Sequence, residues 1–145
     1  MRNGQIRTTV DAGAGFRLCR WAPGDVAAVL AAFAVPDMRP PITSGAAADH
    51  WLRGRAEEWA AGTGYAFAVV DQYGAALGNV AVTAIGTDTG WVSYWTAAAA
   101  RGRGVATCGV RALAAWSFGD LGLSRLQLGH RTTNPASCVV AVRAG

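Results

Sequence analysis

The stretch Tyr94-Trp95-Thr96-Ala97-Ala98-Ala99-Ala100-Arg101-Gly102-Arg103-Gly104-Val105-Ala106-Thr107 joins an aromatic, alternating run to the start of an apolar helical pattern. Trp91, Val92, Ser93, Tyr94 and Trp95 alternate as a strand does. From Gly104 the spacing predicts a helix to Phe118, with Val105, Cys108, Ala112 and Trp116 on one face. Between them lies a short Arg/Gly turn. Glycines there let the backbone approach a ligand closely, and the first helical amides direct unpaired N–H groups and the positive end of the helix dipole at an anion. Arg101 and Arg103 add positive charge, so a pyrophosphate is the best-matched guest.

Two familiar phosphate loops do not fit. A Walker A loop needs Gly-Lys-Ser/Thr, and the chain contains no lysine. The dinucleotide fingerprint lacks its third glycine, because Thr107 stands there, and too few residues follow Arg101 for the repeated βα units of its sheet.

A third pattern, Arg/Gln-x-x-Gly-x-Gly/Ala, is met by Arg101, Gly104 and Ala106, and it resembles the acetyl-CoA loop of the GNAT superfamily of N-acetyltransferases. The similarity continues through Arg111–Phe118, Gly122–Leu128 and Asn134-Pro135-Ala136-Ser137, and it resembles the RimJ/RimL-type branch that acts on ribosomal-protein N-termini. It is specific from about Trp91 onward; before that, only the order of elements agrees.

The rest of the chain supplies that order. Residues 1–15 are polar and glycine-containing and read as a loose N-terminal arm, leaving 16–145 as a single domain. Phe16–Trp21 reads as a strand, and Asp25 as the cap of an apolar helix Val26–Ala34 that stops near Val35-Pro36. An amphipathic helix over Ala46–Ala60 directs Trp51, Ala56 and Trp59 inward or half-inward. Strands over Tyr65–Asp71 and Ala76–Ile85 flank a turn at Asp71-Gln72-Tyr73-Gly74, and Trp91–Ala97 follows. After the Gly104–Phe118 helix come a strand, Arg125–His130, and a helix capped by Asn134 with Pro135 in its first turn. The resemblance implies an α/β fold with a mixed, mostly antiparallel central sheet flanked by helices. The family's closing strand pair would follow Ala144-Gly145, where the sequence ends, so that pair is expected to be absent. A homodimer covering the exposed sheet surface is one expected remedy.

Composition bounds the function. The net charge of +4 is carried by 13 arginines that are dispersed along the chain, without a basic stripe, so nucleic-acid binding is not expected. The longest apolar run, Val26–Val35, is short of a bilayer span and the N-terminus has no apolar signal region, so a cytoplasmic protein without a membrane partner is expected. Cys19, Cys108 and Cys138 have no metal-like pairing, and neither a metal nor a disulfide is expected; Cys108 and Cys138 fall on apolar helical positions as core.

The resemblance implies that Arg101, Gly102, Arg103, Gly104, Val105, Ala106 and Thr107 hold the pyrophosphate of acetyl-CoA. It also implies that the strand end Trp95, Thr96 and Ala97 splays from Arg125–His130 and receives the pantetheine, through backbone groups of about Trp95 and Ala97. A backbone N–H near Trp95 would polarise the thioester carbonyl; its side chain reads equally as core. Asn134 matches the family asparagine on the pantetheine arm or is an N-cap. Ser137 matches the position proposed as acid toward the CoA thiolate or is a first-turn serine bonding backbone. A base is not fixed: Glu57 and Glu58 read chiefly as solvated surface, His130 is better placed than His50, and water is a further candidate. The implied reaction is direct acetyl transfer from acetyl-CoA to a primary amine, either a peptide N-terminus or a small amine. The alternative is a CoA-binding protein that is catalytically incompetent.

Overall fold

The computed structural model describes residues 9–33, 42–83, 85, 86, 88–97, 100 and 102–128. In chain order the elements are β1 (Thr9–Gly13), β2 (Phe16–Arg20), a 3-10 turn at Pro23–Asp25, α1 (Val26–Ala32), α2 (Gly45–Ala61), β3 (Gly64–Val70), β4 (Ala76–Thr83), β5 (Thr89–Thr96), α3 (Val105–Gly119) and β6 (Arg125–Leu128). The strands form one six-stranded sheet in the order β1-β2-β3-β4-β5-β6. Every pair is antiparallel except β5–β6, which the α3 crossover makes parallel.

Local chemistry accounts for the elements. β3 is buried along its whole length, as the continuous apolar run Tyr-Ala-Phe-Ala-Val-Val requires of a central strand. Ser44 caps α2 by accepting the Ala47 N–H at 3.1 Å, and Gly62, left-handed at φ +73°, ends it. The β3–β4 turn is held by Asp71, whose Oδ1 accepts from Tyr73 and Ala75.

Two apolar layers sandwich the sheet. On one face α3 contributes Val105, Val110, Leu113 and Trp116 against Leu18, Phe67, Val69, Val80 and Val82. On the other, α1 and α2 cover Ala66, Ala68 and Ala81 with Val29, Phe33, Ala48 and Leu52.

Four expectations are corrected. The arm is a strand in its second half: Thr9–Gly13 pairs with β2, and Val10 is buried in the α3-side core. Asp25 does not cap α1 with its side chain; its Oδ2 accepts from the Ala22 N–H at 2.8 Å instead. On α2 the buried positions are Ala48 and Leu52, one helical turn apart, and Ala56 is exposed, while Trp51 and Trp59 are half-buried as expected. Cys108 is half-buried rather than fully inside. Expectations about residues 1–8, Arg101, His130, Asn134, Ser137, Cys138 and the closing strand pair lie outside the described residues.

Candidate active site

The Arg/Gly turn delivers the chain from the end of β5 to the start of α3. Gly102 and Gly104 are left-handed, at φ +83° and +80°, which L side chains adopt only under strain. Gly104 is the N-cap of α3, and among the described residues no side chain caps this terminus. The first helical bond is Cys108 N–H to the Gly104 carbonyl at 3.0 Å, so Val105, Ala106 and Thr107 present amides ahead of it with no acceptor inside the helix. The first turn holds no acidic residue, and exposed Arg103 precedes it. Such a terminus combines donors, a positive dipole end and room for close approach. A cavity of about 370 Å³ adjoins this turn on the α1 side, bordered by Ala28, Ala32, Leu77, Ala97, Ala100 and Arg103.

Beside it, β5 loses its described β6 partner. The parallel ladder runs from Thr89↔Arg125 to Val92↔Leu128, while the antiparallel ladder with β4 continues to Gly78↔Thr96. Two hydrogen bonds fix which way the β5 peptide groups point. Ala97 N–H donates to the Leu77 carbonyl at 2.8 Å, so odd-numbered residues direct their backbone at β4. Arg125 N–H donates to the Asp88 carbonyl at 3.2 Å, so even-numbered residues face the β6 side. Backbone groups of Tyr94 and Thr96 are therefore aimed toward the side where β6 would continue. Those of Trp95 and the N–H of Ala97 are turned into β4, and the Ala97 carbonyl accepts from Ala100 N–H at 2.9 Å, which corrects the expectation that these two present the edge donors.

The Trp95 side chain belongs to the opposite layer. Its ring meets Phe33 at 5.2 Å, Trp21 at 5.8 Å and Trp51 at 6.1 Å between centroids. Trp21 is anchored by its Nε1–H, which donates to Oδ1 of buried Asn79, the β4 partner of Trp95, at 2.8 Å. The four rings come from β5, α2, the end of α1 and the segment after β2, so no local sequence window shows them together. They form an apolar wall on the α1–α2 side of the β5 tip.

Of the acids and histidines weighed from sequence, Glu58 is half-buried and already engaged. Its two carboxylate oxygens accept from Arg55 Nε and Nη2 at 2.8 and 3.1 Å, and Arg55 lies 5.2 Å from the Trp51 ring centroid. That carboxylate is committed to Arg55 on the α2 surface. Glu57 and His50 are exposed. Among the described residues no group of His, Cys, Asp and Glu is placed to hold a metal ion, and no helix is long and apolar enough to cross a membrane.

Residues 16–145 match the acetyltransferase (GNAT) domain. The chain belongs to the GNAT acetyltransferase family. Membership makes it an acetyl-CoA-dependent N-acetyltransferase in class, with acetyl-CoA as co-substrate. The six-stranded, mostly antiparallel sheet with α3 crossing from β5 to β6 agrees with that fold. Solved structures of similar fold include Mycobacterium smegmatis RimJ in complex with CoA-disulfide, at TM-score 0.80 and 21% identity, covering 98% of this chain and 76% of that one. RimL, the ribosomal L7/L12 alpha-N-protein acetyltransferase in complex with coenzyme A, matches at TM-score 0.82 and 21% identity over 94% of this chain and 82% of its own. The microcin C7 self-immunity acetyltransferase MccE, in complex with acetyl-CoA and AMP, matches at TM-score 0.85 and 16% identity over 97% and 83%. No curated protein sequence matches this GNAT chain.

Proposed function

We propose that this GNAT protein moves the acetyl group of acetyl-CoA to the α-amino group of a peptide or protein by direct attack. The observation that carries the reading is the uncapped N-terminus of α3 behind two left-handed glycines, set beside the β5 tip. Amides of Val105, Ala106 and Thr107, with Arg101, Gly102, Arg103 and Gly104, hold the pyrophosphate. Pantetheine follows the β5 edge, where Tyr94 and Thr96 direct their backbone, and a donor there polarises the thioester carbonyl as negative charge develops on its oxygen. The neutral amine attacks that carbon, the C–S bond breaks, and the amine's proton is released as the thiolate is protonated. Asn134 on the pantetheine arm and Ser137 as the acid toward the thiolate complete the assignment. Trp95 acts through its ring, as part of the acceptor wall, rather than through its backbone. The peptide acceptor is supported by the likeness to RimL, a ribosomal L7/L12 alpha-N-protein acetyltransferase.

Titration with acetyl-CoA, followed by thiol release in the presence of peptides with free N-termini and of small amines, tests this. Saturable binding with peptide-dependent release of CoA is expected. Binding without release on any amine would leave the incompetent alternative; release only with small amines would move the acceptor class.

A further inference from the structure

The pyrophosphate reading requires the first turn of α3 to sit at a set distance from the β5 tip, and a second glycine of α3 controls that distance. Gly109 is buried on the sheet-facing side of the helix. A Cβ there would lie 2.9 Å from Val69 Cγ2 and 3.0 Å from Val80 Cγ1, closer than packed carbons approach. Both valines are fully buried on the two central strands, β3 and β4. The helix is therefore seated against the sheet at a depth where an added Cβ forces the valines or the helix itself to shift. Helix propensity favours alanine over glycine at an interior position, so this residue is not explained by helix formation.

Gly109 follows the Gly104 cap by about a turn and a half, roughly 8 Å along the axis, so a push at Gly109 reaches the first-turn amides through a rigid segment. On the strand side the fit is equally close. Gly78, at a bulge in β4, would place a Cβ 2.6 Å from the Trp95 carbonyl oxygen and 3.2 Å from Thr96 Cα. Both ends of the phosphate turn thus hang on positions without a side chain. We propose that Gly109 is a positioning residue of the acetyl-CoA site: its missing side chain seats α3 so that the first-turn amides and the β5 tip reach one and the same pyrophosphate–pantetheine chain. The inference rests on the pyrophosphate reading above.

The test uses the full chain and measures both acetyl-CoA affinity by calorimetry and thermal unfolding for the wild type, Gly109→Ala, Leu113→Ala and Val69→Ala/Gly109→Ala. Gly109→Ala is expected to raise Kd by on the order of ten-fold or more while remaining folded. Leu113→Ala empties space in the same helix–sheet layer without pushing the helix outward; it should lower Tm yet keep Kd within about two-fold. Removing the Val69 methyls, the nearer contact at 2.9 Å, in the double variant should restore affinity toward wild type. A folded Gly109→Ala with wild-type Kd overturns the inference, as does an equal affinity loss in Leu113→Ala. Should Gly109→Ala fail to fold, the double variant decides: affinity near wild type supports positioning, and a folded double variant without affinity contradicts it. If the wild type itself does not bind acetyl-CoA, the pyrophosphate reading fails first and takes this inference with it.

Discussion

Placing a carboxylate at Gly104 probes the anion site without crowding the fold. A Cβ at this position meets nothing within 4 Å, so the substitution faces backbone strain at φ +80° but no clash. That strain is about 1–2 kcal/mol for any L side chain, and Gly104→Ala incurs it as fully as Gly104→Glu. The difference between the two variants therefore isolates charge. A carboxylate about 6 Å from one phosphate charge costs roughly 3 kcal/mol at an effective dielectric constant of about 20. Screening at physiological salt, with a Debye length of about 8 Å, cuts this to about 1.5 kcal/mol, or roughly ten-fold in Kd. Calorimetric titration with acetyl-CoA should show Gly104→Glu binding about ten-fold more weakly than Gly104→Ala, with the gap narrowing in added salt. Equal affinities for the two variants at low salt would refute the placement of the pyrophosphate at this helix terminus.

Other substitutions check the scaffold around the site. Gly78→Ala should destabilise by about 3 kcal/mol or more in denaturant unfolding, because its Cβ would meet a strand backbone, which cannot rotate away as a side chain can. Trp21→Phe leaves the buried Asn79 Oδ1 without its donor and should cost about 1–3 kcal/mol; combining it with Asn79→Leu should recover part of that loss in a double-mutant cycle. Ser44→Ala removes the only side-chain acceptor described at the α2 terminus and should cost about 1 kcal/mol, read as a lowered Tm with acetyl-CoA affinity unchanged.

The strand–turn–helix around Arg101–Thr107 was legible because the apolar period changes from two to about four across a glycine-rich turn, which is a local signal. The β3–β4 hairpin was legible for the same reason, through Asp71 and Gly74. β1 was not: Thr-Val-Asp-Ala-Gly carries a single large apolar residue, and its strand conformation comes from pairing with β2 and from α3 lying over Val10. Nor was the direction of the β5 peptide groups. Alternation tells which side chains share a face, but which edge a given N–H serves depends on which strand lies on either side. Thus Tyr94 and Thr96, rather than Trp95 and Ala97, face the β6 side. The grouping of Trp21, Phe33, Trp51 and Trp95 joins residues up to 74 positions apart and has no signature in any single segment. Gly109 likewise reads in sequence as a weak helix position, and its tightness emerges only once Val69 and Val80 are packed against it.

The most direct measurement of the central claim is amide-resolved NMR on the isotopically labelled chain during titration with acetyl-CoA. The account predicts that the largest shifts fall on the N–H groups of Val105, Ala106 and Thr107 and, along the β5 edge, of Tyr94 and Thr96, with Trp95 and Ala97 less affected. Saturable binding whose shifts leave the start of α3 and the tip of β5 unmoved would contradict it.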